Sequence, residues 1–252
     1  MSQLFQAGKK MIQPKEMPLL LSRYQLMQQF LRGLIIDEAI AQIDCTAEEK
    51  AEAIAHLEAQ YQLTTPEARD AWLKSQNLTP EHLEEIAVRP LRVEKYKQET
   101  WSHKVESYFL ARKPYLDQAK YSLIRTKDHG LANELYFRIK EGEQSFAELA
   151  KKYSQGVEAS TGGLLGPVSI RQPHPTISQL LSVSHPGQLW PPRNLAEWFV
   201  IVRLEQFIPA QLDDTMRRRL IDEMFETWIA EQIKQMGPLQ VIGFEQEIAV
   251  VG

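Results

Sequence analysis

A single cysteine, Cys45, in 252 residues rules out an internal disulfide and leaves no thiolate cluster for a structural zinc. There is no basic excess. Against 33 Asp and Glu stand 29 Lys and Arg, a formal charge of −4, whereas gripping a phosphate backbone needs a surplus of cations. No apolar run approaches the roughly 20 residues of a membrane span. The stretch Met17-Pro18-Leu19-Leu20-Leu21 is also too short for a signal-peptide core and runs on into an amphipathic pattern. The six histidines, at 56, 82, 103, 129, 174 and 185, form no i,i+4 pair, so metal catalysis lacks its ligands. Gly162-Gly163-Leu164-Leu165-Gly166 has neither the lysine of a phosphate loop nor dinucleotide-loop spacing. No serine sits in a Gly-x-Ser-x-Gly elbow. The sequence therefore predicts no cofactor, no metal, no nucleic-acid partner and no membrane insertion. With no export leader visible, the expected compartment is the cytoplasm.

What is present is ordinary globular usage, 43% hydrophobic and 25% charged, enough to bury a core. The texture changes near residue 115. Before it, apolar residues recur at helical steps: Tyr24, Met27, Leu31, Leu34 and Ile35 share one face. Thr46-Ala47-Glu48-Glu49 reads as a capping box opening a helix to about Tyr61. Thr65-Pro66-Glu67 and Thr79-Pro80-Glu81 repeat one start signal, with threonine as cap, proline in the first turn and glutamate at the positive helix end. These open short helices around Trp72 and over Leu83 to Val88. Pro90 is expected to begin a further helix, and Pro114 to end or kink it.

From Lys120 to Phe207 the pattern is mixed. Tyr121 to Arg125 reads as a strand, Leu131 to Ile139 as a helix, and Ser145-Phe146-Ala147-Glu148 as a second capping box. Leu164 to Ile170 suits a strand and Pro175 to Leu181 a small helix. Two more strands are expected near Leu189 and from Trp198 to Leu204, with Pro191-Pro192-Arg193-Asn194 in or beside the turn. That order indicates an α+β domain. After Pro209, Met216, Leu220, Phe225, Trp228, Ile229 and Ile233 make a broad apolar helical stripe, with Gly237 placed to stop it. Such a stripe needs a partner, and the N-terminal helices are the economical one. The expected division is 1–115 helical, 116–208 α+β, 209–237 a returning helix, and 238–252 a tail that is either strand or unstructured.

The run Ser145-Phe146-Ala147-Glu148-Leu149-Ala150-Lys151-Lys152-Tyr153-Ser154, followed by Gly162-Gly163-Leu164-Leu165-Gly166, resembles the core motif of the parvulin family of peptidyl-prolyl cis/trans isomerases. Pro186-Gly187-Gln188 and the strand from Trp198 continue the likeness over about residues 118 to 208. The resemblance implies a four-stranded antiparallel sheet with helices, set between N-terminal helices and a returning C-terminal one, as in the SurA and PrsA class of folding factors. It also implies a site. Ser122 stands where the family commonly has a strand histidine, and Phe199 where it has a second. Gly156 falls at the family's cysteine or aspartate, Leu164 at its acid and Pro167 at its aromatic. The proline-pocket positions fall near Pro173-His174 and at Ile177, with Leu181 beside them.

On that likeness the candidate catalytic residues are Ser122 and Phe199, and the candidate substrate-binding residues are His174, Ile177 and Leu181. The expected partners are proline-containing segments or unfolded client proteins; oligomeric state is not legible. Two functions remain open on the sequence alone. One is a folding-assisting isomerase with a rebuilt centre. The other is a catalytically weak or inactive polypeptide-binding chaperone or adaptor that works through its helical part.

Overall fold

The computed structural model describes residues 5–236. Along the chain run β1 (Phe5–Ala7), β2 (Lys10–Ile12), α1 (Met17–Arg23), α2 (Met27–Ala39), α3 (Ala47–Gln60), α4 (Pro66–Gln76), α5 (Pro80–Trp101) and α6 (Val105–Leu116). Then come β3 (Gln118–Thr126), α7 (His129–Lys140), α8 (Phe146–Tyr153), β4 (Leu164–Ser169), α9 (Pro175–Ser182), β5 (Leu189–Leu195), β6 (Trp198–Ile208) and α10 (Asp214–Met236). The chain divides into two compact units. One gathers the residues through Val105 with those from Arg217 onward; the other is Glu106–Met216. The tail expected over 238–252 and the stop at Gly237 lie outside the described residues.

In the helical unit the apolar stripe of α10 finds the partner it needs. Leu220, Ile221, Phe225 and Ile229 are buried, and the Phe225 ring meets Trp101 of α5 edge-on, with centroids 5.7 Å apart. Lys97 of α5 is buried beside them and is ion-paired to Glu94 and Asp222. On the outside, Arg32 of α2 makes a two-pronged bond to Glu226, both contacts 2.6 Å.

Threonine caps open α3, α4 and α5 as the sequence signals them. At α4 the Thr65 hydroxyl accepts from the Ala68 amide at 3.2 Å. Replacing Thr65 with alanine should cost about 1 kcal/mol, seen as a lower urea midpoint at unchanged slope.

Pro90 departs from expectation, because α5 runs through it unbroken. Proline removes one amide donor. Leu83, Ala87 and Val88 before it and Trp101 after it are all buried on the same helix, and that burial outweighs one missing hydrogen bond.

The second unit is built on an antiparallel sheet in the order β4-β3-β6-β5. Its first element is α6, about ten residues earlier than the texture change suggests. Contacts near Asp117 tie that helix to the sheet. Lys113 donates to the Asp117 carboxylate at 2.7 Å, the same carboxylate accepts from the Ala210 amide at 2.8 Å, and Ser169 donates to the Tyr115 carbonyl at 2.8 Å. Both outer strands carry proline: Pro167 in β4, and Pro191 and Pro192 in β5. The latter pair sits where the β5–β6 register shifts, inside the strand and not in the turn.

Each face of the sheet has its own core. Tyr121, Leu123, Val200, Val202 and Leu204 pack with Ile177 and Leu181 of α9. Ile124 and Ile201 pack with Leu135 of α7 and with Phe146, Leu149 and Ala150 of α8. The Ser145 capping box fixes the start of α8. Gly163, at φ +84°, is the left-handed residue that turns the chain back onto β3, where its carbonyl accepts from the Leu123 amide at 2.9 Å.

Candidate functional site

The two-faced sheet separates the residues that the family likeness brings together. Side chains alternate along a strand, so Trp198, Val200, Val202 and Leu204 look toward α9, while Phe199, Ile201 and Arg203 look toward α7 and α8. The Phe199 ring lies 4.8 Å from that of His129 at the start of α7. Ser122 is on the same face as Phe199. Its hydroxyl donates to Glu205 at 2.5 Å, and Glu205 also accepts from Arg203, whose guanidinium lies 5.1 Å over the Phe146 ring.

Ile177 and Leu181 lie on the opposite face and are core residues, 5% and 1% exposed. They cannot wall a pocket with Phe199, and the space between the sheet and α9 is filled by Tyr121, Leu123, Val200 and Val202. His174 is exposed and caps α9, its Nδ1 accepting from the Thr176 amide at 3.3 Å. The five candidates do not form one site. Motif alignment places residues along a strand, and a slip of one position exchanges the two faces.

The α9 face does carry a concentration of chemistry, at the end of β3 and β6. Arg125 of β3 makes a two-pronged ion pair with Glu158, Nε and Nη2 at 2.9 and 2.6 Å. Glu158 stands in the 3₁₀ turn Val157–Thr161, is 1% exposed, and accepts a further bond from the Ser154 hydroxyl at 2.7 Å. Burial pushes its carboxyl up, but the hydrogen bonds from Arg125 and Ser154 outweigh that and hold it below the usual range. The same bond raises the Arg125 guanidinium. Gly156 makes room for the pair, since a Cβ there would fall 1.9 Å from Arg125 Nε and 2.3 Å from a Glu158 oxygen. This is where the family places a cysteine or aspartate; here the carboxylate arrives from two residues further along.

Trp198 stands beside this pair, half-buried against the apolar face. Arg125 lies 5.9 Å and Lys127 5.0 Å from its ring centre. Leu195, the partly buried cross-strand partner of Trp198, continues the apolar rim. Tyr121 completes the group, only 6% exposed, with its pKa raised first by burial and then by Glu158, against a lowering effect of Arg125. Sequence reading missed these residues. Nothing in the local pattern marks Arg125 and Glu158, 33 positions apart, as partners. Among the described residues no group of three or more His, Cys, Asp or Glu could hold a metal, and no helix is long and apolar enough to cross a membrane.

Comparison with known proteins adds the following. The family model described as the PPIC-type PPIase domain, or rotamase, matches residues 123–206. A curated relative, the chaperone SurA of Pseudomonas fluorescens (strain Pf0-1), is 35% identical over 128 residues, with 47% of this chain covered. The match spans only 28% of that relative's length. Among solved structures, the peptidylprolyl isomerase PrsA of Bacillus cereus is 16% identical, with 96% of this chain and 95% of that one covered at a TM-score of 0.48. Another match comes from a Campylobacter jejuni pair, the virulence factor PEB4 and the periplasmic protein Cj1289, described as SurA-like chaperones. It is 15% identical, with 96% and 99% covered and a TM-score of 0.39. The likeness to the chaperone SurA overturns the cytoplasmic expectation.

Proposed function

From the premise that residues 123–206 are a PPIC-type PPIase domain of the parvulin family, we propose that this chain assists protein folding by binding unfolded polypeptide and easing rotation about its X-Pro bonds. The observation that carries the reading is Trp198. It is a large aromatic at the open rim of an otherwise filled apolar face, with its cross-strand partner Leu195 beside it and two cations over its ring.

Rotation of the peptide bond faces a barrier of roughly 18–20 kcal/mol, set by amide resonance. No nucleophile is required. Lowering the barrier by about 5 kcal/mol gives roughly a thousandfold to ten-thousandfold acceleration, and holding the prolyl ring against a rigid apolar surface while the acyl side turns supplies part of that. In this reading the centre is divergent, with Ser122 and Phe199 where the family commonly has histidines.

The test is a protease-coupled proline-peptide assay on the full chain. A rate no better than the uncatalysed one would refute isomerisation. Trp198→Ala should weaken proline-peptide binding about tenfold, or about 1.4 kcal/mol, in protein shown to be folded; unchanged affinity removes Trp198 from the site.

A second reading, a chaperone that holds clients without isomerising them, is favoured by the helical unit. There a groove of about 430 Å³ is lined by Ile35, Tyr96, Trp228 and Met236, and Leu26, Phe30 and Leu34 are exposed nearby in sequence. Suppression of client aggregation that survives Trp198→Ala intact would assign that work to the helical unit.

A further inference from the structure

The polar side chains named above beside the rim are committed to one another, and Tyr121 is not among them. Arg125 and Glu158 hold each other, and Ser154 donates to Glu158. Ser178 of α9 donates to the Pro173 carbonyl. Tyr121 is different. Its ring is packed among Leu123, Val202 and Leu204, yet its hydroxyl has no hydrogen-bond partner among the described residues. Nor is that oxygen among the fully enclosed atoms that lack a hydrogen bond. The ring is thus fixed by the core, while its oxygen, in a residue only 6% exposed, is not fully enclosed and is free to donate.

We infer that the Tyr121 hydroxyl is a catalytic hydrogen-bond donor, offered to the prolyl amide as it twists. The inference rests on the isomerase reading above and adds the polar half of the site to its apolar rim. In the planar amide the nitrogen lone pair is spread into the carbonyl and accepts poorly. At the twisted midpoint the lone pair is localised and the carbonyl becomes ketone-like, so a donor waiting at that place binds the midpoint better than the ground state. No bond is made or broken and no proton leaves the phenol. The surroundings keep it protonated, because burial and Glu158 both disfavour the phenolate and outweigh the opposing pull of Arg125.

Tyr121→Phe tests this in the full chain, since it removes one oxygen that no described residue uses and leaves the packed ring. Thermal stability should be unchanged. The rate in the proline-peptide assay should fall about 10- to 100-fold, while peptide affinity by titration stays within about twofold. An undiminished rate overturns the assignment, and so does an equal loss of affinity and rate, which would make the hydroxyl a ground-state contact. An inactive wild-type chain overturns the isomerase reading itself and this inference with it. A measurement on the unaltered protein gives a second check. The ring carbons of Tyr121, labelled and followed by NMR, should shift when a proline peptide is added, and no shift at saturation overturns the proposal.

Discussion

Replacing Arg125 with alanine is expected to destabilise the sheet unit by about 3–5 kcal/mol, the usual cost of stripping one partner from a buried ion pair. The loss falls on Glu158, which is 1% exposed and would keep only the Ser154 hydroxyl of its two side-chain donors. Acid should reveal the cause. In the native protein the Glu158 carboxyl sits below its ordinary value. Its stabilising contribution is therefore complete above the unfolded pKa, about 4.3, and is lost as pH falls through the lowered folded one. Without the guanidinium, burial dominates and the carboxyl is pushed upward, so the variant is penalised at neutral pH and relieved as acid neutralises it. The stability gap between the two proteins should narrow steadily as pH is lowered, followed by denaturant midpoints from neutrality into acid. A gap independent of pH would mean that lost packing against Trp198 is the whole effect. Changing Arg125 and Glu158 together to an apolar pair should recover much of the loss.

Gly163→Val is the second large expected loss, about 2–5 kcal/mol. Two causes add. A left-handed backbone costs a residue with a side chain about 1–2 kcal/mol, and forced overpacking commonly adds about 1–3 kcal/mol. Gly163 has φ +84°, and a Cβ there would lie 2.8 Å from the Leu123 carbonyl oxygen and 3.0 Å from the Phe146 ring and the Ala150 methyl. Neither the backbone of β3 nor the buried start of α8 has room to yield. A lower melting temperature with loss of near-ultraviolet dichroism is expected; a melting curve that overlays the native one would sink the argument. Gly163→Ala should show a smaller loss of the same kind, since it keeps the close approach but drops the branched methyls.

Much of the fold was legible because its signals are local. The threonine caps before α3, α4 and α5 and the serine box before α8 each announce an element boundary through a side chain and an amide three residues apart, and the Gly162-Gly163 turn does so through its left-handed backbone. The apolar stripe of Leu220, Phe225 and Ile229 likewise demanded a partner, and Trp101 supplies one. Pro90 misled because its local cost is visible in sequence while the burial that offsets it is not.

The site was harder to read for a geometric reason. In a sheet with two cores, neighbours such as Tyr121 and Ser122 serve opposite faces. Choosing the wrong one of the pair moves the proposed chemistry to the other side of the domain. Burial decides it, and burial comes from α8 and α9, which a strand's own letters do not contain.

Prolines in both outer strands bear on how such a domain survives contact with unfolded chains. A sheet margin with a continuous row of free amides invites an extended polypeptide to join as one more strand. Pro167 on one margin and Pro191-Pro192 on the other interrupt that row. On the folding-assistant reading, a client would then be met at the Trp198 rim and let go, with no template along which to zip up and stay.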